Sequence, residues 1–264
     1  MNVFVAALLG LIQGLCEFLP VSSSGHLILL QNIFGISEGA LFFDTMLHLG
    51  TLVAVIAVFY RELWALIKKP FQKRVYMLAI SSILTAAIYF VLEDFFTGAF
   101  EGTFLGFGFV LTAAILFVSE KIARAGHMVE QMKIPDALAV GFMQGVAILP
   151  GVSRSGATIA GARVFGLSRQ EAAQYSFFLS IPVILGALVL QFPDAVRLGT
   201  GDISWLCIAV GTLAAAVSGY FAIRWMLKLI VRKSLMGFAV YVLALGLLVL
   251  ADQFITNFFF AKPF

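Results

Sequence analysis

The sequence predicts an all-α, polytopic membrane protein built as an inverted repeat, each half a re-entrant helical hairpin followed by three transmembrane helices. Three observations carry this reading. The 264 residues are 61% hydrophobic and only 12% charged, where a soluble domain carries roughly 25% charged residues. Six uncharged runs approach the length of a membrane span. Two further apolar segments, each broken near its middle by Pro, Ser and Gly, repeat one another in fixed register.

The elements follow in order. Val3–Phe34 is the first broken segment. Its first half, Val3–Phe18, makes a helix of about 24 Å at 1.5 Å per residue, short of the ~30 Å hydrocarbon core. Thr45–Tyr60, Val75–Leu92 and Gly102–Ser119 then read as spans. Asp136–Phe165 is the second broken segment, and Ala172–Pro193, Ile203–Ile223 and Ser234–Ala251 are three more spans. Non-helical backbone at membrane depth survives only inside protein or beside a wet cavity, so both broken segments read as re-entrant hairpins with polar tips. No polar linker divides the chain, which reads as one integral membrane domain over 1–264 with repeats of approximately 1–131 and 132–264. The N-terminus lacks a basic leader region and a cleavage pattern, and reads as mature protein. Cys16 and Cys207 lie in apolar runs without metal or redox spacing and read as packing residues.

The repeat is explicit. A shift of 131 residues lays Gly10-x-x-Gln13-Gly14 on Gly141-x-x-Gln144-Gly145, and Val21-Ser22-x-Ser24-Gly25 on Val152-Ser153-x-Ser155-Gly156. Ala6 and Ile28 fall on Ala137 and Ile159. Three spans separate the copies, so they enter from opposite faces, with both tips expected near the midplane. Charge gives the orientation. Of 17 Lys and Arg, 14 lie in Arg61–Arg74, Ser119–Asp136, Arg163–Glu171 and Arg224–Lys233. The opposite loops, Asn32–Asp44, Glu93–Thr103, Phe192–Ser204 and the C-terminal tail, hold only Arg197 and Lys262, and Arg154 is in the second tip. The basic side is expected in the cytoplasm, with the first hairpin entering from outside. A formal charge of +3 is too small to argue for nucleic acid.

The tips concentrate the chemistry. Gln13 and Glu17 are four residues apart and share a helix face. The helix runs out before Pro20, Val21–Gly25 turns, and a second helix is expected to begin near Gly25. Hydroxyls and free N–H groups at a helix start form an anion cradle. Ser22, Ser23, Ser24 and Gly25 supply one; Ser153, Ser155 and Gly156 supply another and add the planar donors of Arg154, suited to phosphate. Ionisable groups inside a membrane are costly to keep and point to function. Each has a plainer reading: Glu17 and Arg154 as a clamp between hairpins, His26 as a hydrogen-bonded core histidine, serines as caps, Gln13 and Gln144 as helix packing. His48, in "FDTMLHLGT", reads as a satisfied or mobile histidine, Asp44 as a solvated or capping residue, and His127 as incidental.

"QGLCEFLPVSSSGH" followed by "PGVSRSGAT" resembles the undecaprenyl-diphosphate phosphatase family of the bacitracin-resistance type, over essentially the whole chain. The resemblance implies removal of the terminal phosphate of undecaprenyl diphosphate, recycling the carrier lipid for peptidoglycan and envelope synthesis, in the bacterial inner membrane with the site facing outward. It places the family's acidic motif on Gln13 and Glu17, its serine–histidine motif on Pro20–His26, and its arginine motif on Pro150–Thr158, including Thr158. Many members carry a second glutamate where this chain has Gln13. The expected catalytic residues are Glu17, His26, Ser23 and Arg154; Gln13, Ser22, Ser24, Gly25, Ser153, Ser155, Gly156 and Thr158 bind substrate. Mg²⁺ or Ca²⁺ is expected to bridge Glu17 to the diphosphate. Three nucleophiles stay open: His26 itself, Ser23 with His26 as base, or water activated by Glu17. Expected partners are the lipid substrate, membrane lipids and a second copy in a homodimer, with no nucleic acid. The rival expectation is a transporter that flips the prenyl phosphate between leaflets.

Overall fold

The computed structural model describes residues 1–37, 39–93, 95, 104–123 and 126–260. The described residues form α1 (Val3–Phe18), α2 (Ser23–Phe34), α3 (Ala40–Val58), α4 (Tyr60–Lys68), α5 (Lys73–Val91), α6 (Leu105–Ile122), α7 (Ile134–Val146), α8 (Arg154–Val164), α9 (Arg169–Leu198), α10 (Trp205–Arg232) and α11 (Met236–Ala251). A 3-10 turn at Val129–Gln131 and a π turn at Asp252–Thr256 complete them. The only extended pairing among the described residues is an isolated bridge between His127 and Leu167. The chain is an all-helical, multi-pass membrane protein: α3, α5, α6, α9, α10 and α11 are long and apolar enough to cross a bilayer.

Local chemistry sets the ends. Asn2, Ser22, Ser153, Ser168 and Ser204 each cap a helix by accepting a backbone N–H, worth ~1 kcal/mol apiece. Gly35 ends α2 in the left-handed conformation, as glycine C-caps do. Helix α2 starts at Ser23, two residues before the expected Gly25, because the Ser22 hydroxyl already caps it. Helix α9 has 30 residues with Pro182 and Pro193 inside it, and α10 has 28, longer than the expected Ala172–Pro193 and Ile203–Ile223. Uncharged runs bound the apolar slab, whereas the helices continue into the charged ends. Prolines are tolerated in such helices because neighbouring groups satisfy the freed backbone. The segment Arg61–Arg74, expected as a loop, contains α4, with Trp64 and Ile67 exposed between Arg61 and Lys68, the makeup of an interfacial helix. Gly102 and Thr103, at the start of the third expected span, lie outside the described residues. So do parts of the expected loops around Glu38, 96–103, 124–125 and 261–264.

Elements 131 residues apart exchange partners. Helix α1 packs on α10, and α7 packs on α5, which holds α10's place in the first repeat. The pairs α1–α2 and α7–α8 also touch, as do the equivalent spans α3 and α9, and α6 and α11. Small residues allow the two crossed contacts. A Cβ on Gly10 would fall 2.1 Å from the Gly211 carbonyl oxygen, and one on Gly14 would fall 2.0 Å from Ser218 Oγ. In the second repeat a Cβ on Gly141 would fall 2.6 Å from Ser81 O. Membrane helices lacking a hydrophobic drive between them pack by this close approach.

The four basic loops meet at one end of the bundle. Arg74 pairs with Glu171 at 2.8 Å, and Arg163 and Arg169 both pair with Glu120. Lys73 donates to Glu130 O at 2.7 Å and Arg169 to Lys233 O at 2.9 Å. At the other end Gly39 abuts Thr200, and Ala6, Phe42, Ala195 and Ile203 share one core cluster.

Candidate active site

The two hairpin tips touch. Ser155 Oγ donates to Leu19 O at 2.9 Å. A Cβ on Gly156 would meet Pro20 at 3.3 Å, and one on Gly25 would meet the Gly151 Cα at 3.1 Å. The caps repeat: Gly25 N donates to Ser22 Oγ and Gly156 N to Ser153 Oγ. Ser22 and Ser24 hydroxyls lie 3.4 Å apart and those of Ser153 and Ser155 3.3 Å apart. The two tips thus share one hydrogen-bonding pattern, although the capping serine is left-handed at Ser22 (φ 71°) and extended at Ser153 (φ −71°).

Glu17 is the asymmetric element between them. It is 7% exposed. Its Oε2 accepts from Ser23 Oγ at 2.6 Å and from Gln13 Nε2 at 3.1 Å. Its Oε1 accepts from Arg154 Nη2 at 2.6 Å. His48 Nε2, on α3, lies 4.0 Å from Oε2, while His48 Nδ1 donates to Asp44 O at 2.8 Å. Asp44 in turn accepts from Gln31 at 2.7 Å. Of the residues singled out from sequence, Gln13, Glu17, Ser23 and Arg154 therefore form one hydrogen-bonded set. A buried carboxylate must be neutralised and hydrogen-bonded to persist in such a medium, and these partners do both.

Other expected residues point elsewhere. His26 Nδ1 lies 2.7 Å from Ser22 O and Nε2 lies 2.8 Å from Tyr241 OH on α11. Its ring stacks near-parallel on Tyr241 and meets Phe109 edge-on. The Thr158 hydroxyl pairs with Arg154 O and with Ser176 Oγ of α9, and Arg154 Nη1 donates to Ser176 O at 3.3 Å. The Thr158 contacts tie the start of α8 to α9, and the Ser176 carbonyl is the contact on the guanidinium itself. A cavity of about 550 Å³ lined mainly by apolar side chains of α1, α10 and α11 reaches His26 and Tyr241.

Two residues of this site escaped the sequence reading. His48 carried the same signal as His26, a titratable ring in an apolar span, but its motif has no counterpart in the second repeat. Tyr241 carried no signal, since a lone tyrosine in an apolar helix reads as packing.

The donor set can be tested against a divalent ion. No group of three His, Cys, Asp or Glu among the described residues is arranged to hold a metal. The Gln13 amide nitrogen must face the carboxylate, which only accepts, so Oε1 is the free atom. It is fully buried with no hydrogen-bond partner. One carboxylate and one amide oxygen suit a hard cation that takes its other ligands from phosphate and water.

Residues 6–248 match the family described as bacitracin resistance protein BacA. The chain belongs to this family. It is 45% identical over 256 residues to an undecaprenyl-diphosphatase of Carboxydothermus hydrogenoformans, covering 96% of this chain and 98% of that one. An undecaprenyl-diphosphatase 3 of Bacillus cereus is 42% identical with the same coverage. One from Halothermothrix orenii is 40% identical over 95% of this chain and 98% of its own. The BacA match includes both tips and every helix that positions them.

Proposed function

We propose that this BacA-family chain is an undecaprenyl-diphosphatase: it hydrolyses undecaprenyl diphosphate to undecaprenyl phosphate and inorganic phosphate, and so returns a lipid carrier to envelope synthesis. The observation that carries the mechanism is the short hydrogen bond from Ser23 Oγ to Glu17 Oε2, 2.6 Å, beside the guanidinium of Arg154. Of the three nucleophiles open at the outset, this geometry favours Ser23, with Glu17 in place of the expected His26 as its base. Ser23 Oγ attacks the terminal phosphorus and its proton passes to Glu17. The bond from phosphorus to the bridging oxygen breaks, and undecaprenyl phosphate leaves. Glu17 passes that proton to the departing phosphate oxygen and is a base again. Water then attacks the phosphoserine, Glu17 takes the water's proton and returns it to Ser23 Oγ as the bond from phosphorus to Oγ breaks, and inorganic phosphate is released. Arg154 turns from Glu17 toward the phosphoryl oxygens and stabilises their charge, the main requirement of phosphoryl transfer. Ser22, Ser24, Gly25, Ser153, Ser155, Gly156 and Thr158 shape the two helix starts that receive the diphosphate.

Gln13 Oε1 and Glu17 would hold Mg²⁺ or Ca²⁺ together with the diphosphate. Such an ion supplies charge neutralisation of the leaving phosphate. Chelation with EDTA is expected to abolish turnover and added Mg²⁺ or Ca²⁺ to restore it. The chain acts as one integral domain of two repeats, 1–131 and 132–264, in the bacterial inner membrane. Each hairpin dips into the bilayer without crossing, since α1 and α7 have only 16 and 13 residues. The site opens to the outer side, opposite the basic loops. A homodimer belongs to the same reading, and native mass spectrometry of the detergent-extracted protein decides it.

The transporter reading is the weaker one: the relatives named above are diphosphatases. Purified protein in detergent, where no gradient or sealed membrane exists, is expected to release phosphate from undecaprenyl diphosphate. Glu17→Gln should lower kcat about 10³-fold, the range for losing a general base. Equal release by wild type and Glu17→Gln would remove the basis of the proposal.

A further inference from the structure

His26 is the one ionisable residue of the first tip that the Glu17 set does not include, and its surroundings explain what it does. Among the described residues, the only non-glycine residues with positive φ are Ser22 and Asn257. Ser22 sits at φ 71° and ψ 99°, in a region that disfavours any side chain and persists only where neighbours over-determine it. The carbonyl oxygen of Ser22 can only accept, so His26 Nδ1 donates to it. That leaves Nε2 with the lone pair, and the Tyr241 hydroxyl donates there. Both ring nitrogens are then spent on holding the turn. His26 is 6% exposed, and its ring is wedged between Tyr241 and Phe109.

The second tip is an internal control. Its equivalent of Ser22 is Ser153, which caps its helix in the ordinary extended conformation at φ −71°. Its equivalent of His26, 131 residues on, is Ala157. The same Ser-x-Ser-Gly turn carries a histidine where the backbone is left-handed and an alanine where it is not.

We propose that His26, held by Tyr241, is a positioning residue that braces the left-handed Ser22 turn, keeping Ser23 Oγ on Glu17, and takes no part in proton transfer. The inference rests on the phosphatase reading with Ser23 as nucleophile, and it adds Tyr241, from the second repeat, to the first repeat's tip.

Four variants separate a brace from a base. His26→Ala is expected to cost about 100-fold in kcat, the scale of a misplaced reacting group. His26→Asn puts an amide N–H where Nδ1 was, and should recover most of that loss although it cannot carry a proton at neutral pH. Ser22→Gly in the His26→Ala background relieves the backbone without any imidazole, and should raise the melting temperature of His26→Ala. Tyr241→Phe should lower kcat about fivefold, the worth of one hydrogen bond, with KM unchanged. If His26→Asn, folded by gel filtration, stays as inactive as His26→Ala, or if Ser22→Gly leaves the melting temperature of His26→Ala unchanged, the imidazole is needed for itself and the brace is wrong. The brace is equally wrong if His26→Ala retains wild-type kcat. Glu17→Gln, assayed alongside, isolates failure of the phosphatase reading. Should that reading fail, the melting temperatures alone still decide the brace.

Discussion

Ser23 and Arg154 occupy equivalent places in the two repeats, 131 residues apart, and both donate to Glu17. One position thus holds a hydroxyl in the first copy and a guanidinium in the second, the proposed nucleophile and phosphate clamp, while the carboxylate between them exists in the first copy alone. Two predictions belong at this scale. Ser23→Ala removes the attacking oxygen while leaving Glu17 paired with Arg154. It should lower kcat by about 10³-fold or more, and no phosphoserine should be trapped on rapid quench with labelled substrate. A labelled phosphohistidine in the wild type would contradict the assignment. His48 Nε2 lies 4.0 Å from Glu17 Oε2 and its side chain is 27% exposed, a separation that one water spans. His48→Ala should slow turnover about tenfold without changing the elution profile; wild-type kcat would show that His48 is a bystander.

At the scale of elements, the close crossing of α1 and α10 sets where Glu17 stands. Gly14 is three residues before Glu17, and a Cβ there would lie 2.0 Å from Ser218 Oγ, 2.4 Å from Ala215 O and 2.7 Å from Gly219 N. The last two are backbone and cannot swing aside. Gly14→Ala should cost about 1–3 kcal/mol of stability, as overpacking does, and about 100-fold in kcat by displacing the carboxylate. Gly186→Ala on α9, with open space around it, is the control and should leave both unchanged. An active, stable Gly14→Ala would show that α1 has room to move. This scale also shows what the sequence discloses. The bounds of α1 and the break after Phe18 were legible because a proline and a polar cluster interrupt an apolar run. The meeting of Glu17 with Arg154 was legible because ionisable residues are rare in such runs and these two lie on repeated motifs. Helix α4 was hidden because Arg61, Glu62 and Lys68 break its apolar pattern. The role of His26 was hidden because the dihedral of Ser22 has no sequence signature, and its partner Tyr241 is 215 residues away.

For the whole molecule, the crossed helix pairs tie each repeat to the other, so neither hairpin is held by its own half alone. The ion pairs of Glu120, Glu171 and Glu130 gather the basic loops at one end, which the positive-inside rule assigns to the cytoplasm. A cysteine at exposed Arg197 should react with a membrane-impermeant thiol reagent in intact cells. One at exposed Lys69 should react only after permeabilisation. The reverse pattern would invert the orientation and place the substrate's entrance on the cytoplasmic side. The central claim is that the two tips converge on one phosphoryl group, and a double-mutant cycle on kcat tests it most directly. Glu17→Gln and Arg154→Ala should each cost about 10³-fold, and together scarcely more than either alone, because parts of one catalytic unit are not additive. Losses that multiply to about 10⁶-fold would mean that the two residues act independently, and that the tips do not form one site.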